Sequence, residues 1–143
     1  MLTLNGIIGG VMSRYEFAKQ NNRPVFRFKQ PENRGVYVVF EVGSYLNNGN
    51  LSIELCSAHT GEIYAPVTRN LEKLKSDHEA YIKNNSECTG MARFLVECDL
   101  GFLCDRYSDD YPLFWFHPHV LKRLHPDSPR FKETKNESKQ KTA

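Results

Sequence analysis

The sequence predicts a single α+β domain in which an antiparallel sheet of four to five strands has two to three helices packed on one face. Three observations lead to this fold class. The chain has 143 residues, of which 40% are hydrophobic, and this suffices for one ordinary domain with a core of its own. Apolar side chains recur at every second position over much of residues 23–67, as in strands, and at helical spacing over residues 91–98.

The first half of the chain predicts a meander of three to four strands. Residues 36–42 are apolar on both alternating faces, which predicts a central strand covered on both sides. The Asn48-Gly49 pair supplies hairpin turn chemistry, and alternation resumes over residues 51–56. Pro66 cannot donate to a ladder, so its strand is expected at an edge or to end there.

The second half of the chain predicts helices around one aromatic strand. Residues 70–85 have near-helical apolar spacing with a break expected at Ser76, and residues 86–101 predict a clearer helix with Gly101 as its C-cap. Residues 106–110 are predicted to be a polar loop. The aromatic run 111–116 predicts a buried strand, and Pro118 is placed to begin a last short helix.

The domain is predicted to span residues 1–125, of which residues 1–22 are poorly defined. Within that segment Ser13 and Glu16 have the spacing of a capping box, which would allow one or two helical turns. Residues 126–143 are polar and almost without large apolar side chains. We therefore expect them to form a disordered tail.

The charge distribution argues against recognition by bulk charge. The net charge of +2 divides into +4 over residues 1–34, −4 over residues 35–125 and +2 over residues 126–143. A protein that mimics DNA would need a strongly acidic surface, and a dedicated nucleic-acid binder usually has a concentrated basic patch. The sequence pI of 8.3 supports neither class strongly.

The four cysteines and the N-terminal sequence predict a cytoplasmic protein. The first residues lack the pattern of a secretory signal, and no apolar run is long enough to cross a bilayer. In a reducing compartment we expect free thiols. No membrane association and no cofactor are predicted.

The sequence does not predict a metal site or a catalytic site. Zinc ligands could come from the Cys56 and His59 spacing and from the His117 and His119 pair, but neither spacing is diagnostic. A metal-dependent hydrolase is a weaker alternative, with Asp105, Asp109 and Asp110 acting with His117 or His119. Nucleophile elbows and phosphate-binding loops do not occur in the sequence.

Two surfaces are predicted for binding. The first is a partner-binding set of aromatic and charged residues that suit a protein interface: Arg106, Tyr107, Asp109, Asp110 and Tyr111. The second, an alternative, is a nucleic-acid set comprising Arg23, Arg27, Lys29 and Arg34. In the second set Phe26 and Phe28 alternate with the cations, so we expect the rings in the core and the cations at a solvated edge.

Residues 35–124 resemble an uncharacterised family of small proteins carried on bacterial conjugative elements, plasmids and phages. The matching segments are FEVGSYLNNGNLSIEL, TGEIYAPVTRNL, AYIKNN, FLVECDLG, YPLFWF and LKRL. The chain departs from the family at RYSDDYP, where a loop with glycine is expected, and its first 22 residues are extra. The resemblance implies a bacterial cytosol and an accessory gene.

These observations lead to a functional expectation. We expect a non-catalytic binding protein of a phage or mobile element that contacts a host protein complex and inhibits host defence, of the anti-restriction or anti-CRISPR type. The alternative is a nucleic-acid-binding accessory factor that uses the basic N-terminal third. The sequence alone leaves the oligomeric state and the identity of the partner open.

Overall fold

Eight strands form the framework of the computed structural model, which describes residues 15–32 and 34–131. They make two antiparallel four-stranded sheets. The first sheet has the order β1-β2-β3-β4, with β1 at Phe26–Phe28, β2 at Val36–Ser44, β3 at Leu51–Ser57 and β4 at Ile63–Pro66. The second has the order β5-β6-β8-β7, with β5 at Thr68–Arg69, β6 at Glu79–Ile82, β7 at Gly101–Ser108 and β8 at Tyr111–Phe116.

Three α-helices accompany the sheets in the described part of the chain. They are α1 at Glu16–Gln20, α2 at Met91–Glu97 and α3 at Pro118–Leu124, and a 3-10 turn at Ser86–Cys88 precedes α2. This architecture confirms the predicted α+β class. None of these helices is long and apolar enough to span a bilayer.

The strands divide into two sheets because the chain changes partners at Val67. The Val67 amide donates to the Ile53 carbonyl of β3 at 2.9 Å, while its own carbonyl accepts from the Lys83 amide at 2.9 Å. The two sheets are therefore joined directly behind Pro66, which ends β4 at the edge of the first sheet. The predicted meander is the first sheet, and the helical half of the chain supplies most of the second.

The main core lies between the inner faces of both sheets, α2 and α3. The ring of Phe94 in α2 is 4.8 Å from that of Phe28 and 6.0 Å from that of Phe40. From the second sheet Phe114 and Phe116 are fully buried in the same cluster. Each such ring stabilises the fold by about 1.5 to 3 kcal/mol relative to leaving it exposed.

The prediction that the second strand is covered on both faces is confirmed. Val39 faces away from the main core and packs with Cys56, Ala58 and Ala18 of α1. The amide of Ala18 donates to the Ala58 carbonyl at 3.0 Å, which fixes α1 to the end of β3. Helix α1 supplies the helical turn predicted near Glu16, and the proposed cap Ser13 lies outside the described residues.

The helix predicted over residues 70–85 is wrong. This segment is a loop followed by β6. The Asn50 side chain organises the loop, since its Oδ1 accepts from the Leu74 amide at 3.0 Å and its Nδ2 donates to the Glu72 carbonyl at 2.9 Å. A side chain from the first sheet thus satisfies backbone groups that a helix would have paired internally.

The polar loop predicted at residues 106–110 is mostly strand, and Gly101 is not a helix cap. Helix α2 ends at Glu97 with Cys98 as its C-cap, and β7 begins at Gly101. A Cβ atom on Gly101 would lie 1.9 Å from the Trp115 carbonyl oxygen. The glycine is therefore required by the close approach of β7 to β8 rather than by a turn.

The domain continues beyond the predicted boundary at residue 125. Ser128 is fully buried and its hydroxyl donates to the Val42 carbonyl. The Arg130 guanidinium donates to the Ser44 hydroxyl at 2.7 Å and to the Gly49 carbonyl at 3.1 Å. Residues 126–131 thus belong to the packed structure, whereas the rest of the predicted tail lies outside the described residues.

Candidate protein-binding surface

The β7–β8 hairpin carries the predicted partner-binding set, and a two-residue turn closes it. Ser108 pairs with Tyr111, and Asp109 and Asp110 have φ values of 48° and 67°. A type I′ turn requires positive φ at both central residues, and aspartate adopts this conformation more readily than most residues. The backbone conformation of the turn therefore explains why two aspartates occupy the tip of the hairpin.

The hairpin separates the predicted set onto two faces. Leu103 pairs with Phe114 and Tyr107 with Pro112, so these side chains share the inner face of the second sheet. Arg106 precedes Tyr107 in β7, and Tyr111 precedes Pro112 in β8. Because side chains alternate between the faces of a strand, Arg106 and Tyr111 lie on the outer face. The five residues consequently do not form one contiguous binding patch.

Arg106 belongs to a polar network on the outer face. The Tyr81 hydroxyl donates to Glu72 Oε2 at 2.7 Å, and the Ser108 hydroxyl donates to Glu72 Oε1 at 3.4 Å. The bond from Tyr81 is the main reason why the pKa of Glu72 lies below its ordinary value, and the positive charge of Arg106 contributes. Arg106 thereby helps to hold the loop before β6 against the hairpin.

Tyr111 is similarly engaged within the fold. Its half-buried ring packs against Leu74, Tyr81 and Leu113, and the Arg69 guanidinium carbon is 5.7 Å from its centroid. Of the predicted partner-binding residues, Tyr107 alone combines a large apolar surface with high exposure, at 68%.

The outer face of the same hairpin continues as a row of aromatic and imidazole rings. We call this the aromatic–histidine row, and it comprises His78, Phe102, Trp115, His117 and His119. Phe102 stacks on Trp115 with centroids 5.0 Å apart and an interplanar angle of 25°. His117 meets Trp115 edge to face at 5.6 Å and stacks on His119 at 5.9 Å. The ring of His78 meets that of Trp115 edge to face, with centroids 6.4 Å apart.

The alternation of β8 explains this row. Phe114 and Phe116 point into the core, so Trp115 and the following His117 point outward. Phe102 stands opposite Trp115 in the register but remains 52% exposed. The result is a stacked aromatic surface that the described part of the chain leaves accessible beside the edge strand β7.

The four side chains whose spacing resembles that of zinc ligands are not brought together. Cys56 lies in the small cluster below α1, where burial raises the pKa of its thiol to about 11. His59 is in the exposed turn after β3, whereas His117 and His119 lie on the second sheet and at the start of α3. No group of three metal-ligating side chains converges within residues 15–32 and 34–131, and this includes the aspartates of the hydrolase hypothesis.

The predicted nucleic-acid set is divided between core and surface. Arg23 is buried, donates to the Phe40 carbonyl at 3.2 Å and pairs with Glu41 at 3.5 Å. Arg27 donates to the Arg34 carbonyl, and Lys29 is exposed. Arg34 is also exposed, so one cation of the set is taken into the fold and three stay at the surface. The prediction that Phe26 and Phe28 pack into the core is confirmed.

Sequence reasoning missed Phe102 and His78 as members of the surface. The sequence predicts a helix end at Gly101 and a loop at residues 106–110 but no strand between them, so it does not anticipate the register that puts Phe102 beside Trp115. β7 gives no periodic signal, because Phe102, Cys104 and Arg106 on one side and Leu103 and Asp105 on the other both mix apolar and charged side chains. His78 gave no sequence signal, because it is placed by the loop before β6.

The chain matches no protein-family model, no curated protein and no solved structure.

Proposed function

We propose that this chain is a non-catalytic binding protein that contacts a protein partner through the β7–β8 hairpin. The surface is the free edge of the hairpin along β7, where Phe102 and the aromatic–histidine row lie on the outer face and the exposed side chains of Leu103 and Tyr107 lie on the inner face. The single observation that carries the proposal is Phe102, which is stacked on Trp115 yet more than half exposed. A rigid aromatic pair at the surface is the kind of anchor that dominates protein interfaces.

The distribution of exposed apolar side chains supports this surface. The described part of the chain has seven large exposed hydrophobic residues, and three of them, Phe102, Leu103 and Tyr107, lie on β7. A monomer has no internal use for such a concentration on one strand, and larger exposed apolar patches mark interaction sites. β7 is also an edge strand of its sheet, so its outer backbone groups face solvent or a partner.

A binding role rather than catalysis is supported by the chemistry of the cysteines. Burial raises the pKa of Cys98 to about 11 and also raises the pKa of Cys104, which lies in β7 itself. A thiol with a raised pKa forms little of the thiolate that acts as a nucleophile. The remaining side chains of the surface are mainly aromatic, apolar and imidazole groups suited to contact.

The resemblance to a family of mobile-element proteins supplies the partner class that we propose. The partner would be a host protein complex, and occupation of its surface would inhibit defence of the restriction or CRISPR type. Contact by shape and aromatic anchors agrees with the near-neutral charge of the chain, which a mimic of DNA would not have.

The proposal can be tested by affinity capture from a bacterial lysate with matched variants. The double variant Phe102→Ala and Tyr107→Ala removes the two largest exposed side chains of the hairpin. Leu46→Ala is the control, because Leu46 is fully exposed in the turn between β2 and β3. We expect the wild type and the control to recover the same specific protein, and the hairpin variant to lose it.

Recovery of the same proteins by the hairpin variant, at wild-type yield and with an unchanged melting temperature, would remove the hairpin as the binding surface.

A further inference from the structure

A groove on the opposite side of the molecule has the properties of a small-ligand site. It lies between α1 and the β1–β2 pair and has a volume of about 480 Å³. This is within the range of about 300 to 1,000 Å³ that is usual for small-molecule sites. Its lining includes Tyr15, Lys19, Arg23, Phe26, Arg27 and Tyr37.

The charge of the groove selects an anion. Lys19, Arg23 and Arg27 line it, and no carboxylate is among its lining residues. Glu41 pairs with Arg23 Nη2 at 3.5 Å but is not part of the groove. A negatively charged ligand would therefore meet three cations and no opposing charge along the described wall.

Arg23 adds an unsatisfied donor. Its side chain is 5% exposed, and its two terminal nitrogens are used by the Phe40 carbonyl and Glu41. Its Nε–H is buried without a hydrogen-bond partner. A buried donor of this kind is costly unless an acceptor reaches it, and a phosphate oxygen is a strong acceptor for a guanidinium.

The aromatic side chains of the groove favour a ligand that carries a planar ring beside its anionic group. The rings of Tyr15 and Tyr37 meet edge to face at 5.4 Å, and the half-buried ring of Phe26 completes the apolar wall. Planar heterocycles stack on such rings irrespective of base identity. A phosphate alone would leave this apolar part of the groove unused.

We propose that the groove binds a nucleotide, with its phosphate beside Lys19, Arg23 and Arg27 and its base against Tyr15 and Tyr37. The site is separate from the β7–β8 hairpin and does not depend on the proposed function. The same chemistry is offered by a free mononucleotide and by a nucleotide within a single strand, so the experiment includes both sources.

The test is titration calorimetry on the full chain at low salt with AMP, adenosine, inorganic phosphate and a short single-stranded oligoadenylate. We expect AMP to bind more tightly than adenosine or phosphate, since each of these supplies half of the recognised chemistry. Lys19→Glu should weaken AMP binding about tenfold, because it replaces a cation at the groove with an anion. Lys75→Glu, the same charge change on an exposed residue outside the groove lining, should leave the affinity unchanged.

The two sources of nucleotide are distinguished by the oligoadenylate. If the oligoadenylate binds more tightly than AMP and Lys19→Glu weakens its binding, the groove is assigned to single-stranded nucleic acid. If the oligoadenylate binds equally or more weakly, the groove is assigned to free nucleotides. The proposal is overturned if neither AMP nor the oligoadenylate binds with a Kd below about 1 mM. It is also overturned if the two lysine variants weaken binding equally, since that result indicates non-specific charge.

Discussion

Arg23 and His125 are residue types associated with function that the fold uses in large part internally, and only the Nε–H of Arg23 is left without a partner. Arg23 donates to the Phe40 carbonyl, and His125 Nδ1 accepts from the Val42 amide at 2.9 Å. The acceptor role places the imidazole proton on Nε2, which is 3.7 Å from Asp127. At this scale, a side chain's existing hydrogen bonds decide whether it remains available for a ligand.

His125 should make stability depend on pH. Burial and the charge of Arg23 lower the pKa of His125 from 6.5, and the opposing effects of Glu41 and Asp127 do not reverse this. The unfolded chain therefore binds the proton more readily, so this contribution to stability is complete above pH 6.5 and is lost as the pH falls below it. We expect His125→Asn, measured by melting temperature against pH, to flatten the dependence in this window.

His59→Asn is the control for that series, because His59 lies in the exposed turn after β3. It should retain the wild-type slope. An equal slope for His125→Asn and the wild type would contradict the assignment.

Gly101 should be intolerant of even the smallest side chain. A Cβ atom there would overlap the Trp115 carbonyl, and backbone cannot move aside as a flexible side chain can. We expect Gly101→Ala to lower the free energy of unfolding by about 3 kcal/mol or more in urea titrations. Gly43→Ala is the matched control, since a Cβ atom at Gly43 meets nothing within 4 Å, and it should cost less than about 1 kcal/mol.

If the Gly101→Ala variant proves as stable as the Gly43→Ala variant, β7 does not approach β8 closely enough at Gly101 to exclude a side chain.

The elements differ in how well the sequence anticipates them, and burial explains the difference. β2, β8, α2 and α3 were predicted because each buries a regular apolar pattern against the core. β7 was missed because an exposed edge strand has no such pattern, and its six interior residues include Asp105 and Arg106. The loop and strand at residues 70–85 were mistaken for a helix because Leu71, Leu74 and Tyr81 happen to share helical spacing while packing in one cluster.

The candidate surface follows the same pattern. Tyr107 is predicted as an anchor from its residue type, whereas the pairing of Phe102 with Trp115 depends on a register that composition does not reveal.

The turn of the β7–β8 hairpin should be improved by glycine. Asp110 has a φ of 67°, which an L-residue adopts at a cost and glycine does not. We expect Asp110→Gly to raise the free energy of unfolding by about 0.5 kcal/mol after the greater entropy of the unfolded glycine is included. Chemical denaturation measures this change.

Asp105→Gly provides the comparison within the same hairpin. Asp105 is inside β7, where glycine should instead lower stability by about 0.5 to 1 kcal/mol. Destabilisation by Asp110→Gly would show that the Asp110 carboxylate, rather than its backbone conformation, matters at this position.

At the scale of the whole molecule, two sheets share one core, and the chain beyond α3 returns to fasten the first sheet. Ser128 reaches the Val42 carbonyl, and Arg130 reaches the turn that joins β2 to β3. The two candidate sites lie on different sheets, so a defect in one need not disturb the other. This separation allows the protein contact and the nucleotide groove to be tested independently.

The end of the folded domain can be located by truncation. A chain that ends at residue 125 loses the buried bond of Ser128, the bonds of Arg130 and the packing of Phe131. We expect it to be less stable by about 3 kcal/mol than a chain that ends at residue 131, as measured in urea. Equal midpoints for the two chains would place the end of the domain at α3.

In the proposed function, a partner protein covers the β7–β8 hairpin. The most direct measurement is photocrosslinking in bacterial cells, with benzoylphenylalanine replacing Phe102 in one experiment and Leu46 in another. Both positions are exposed, but Phe102 lies on the proposed surface and Leu46 lies in the turn after β2. We predict a discrete adduct with one host protein from position 102 and none from position 46, whereas no adduct from position 102, or the same adducts from both positions, would contradict the claim.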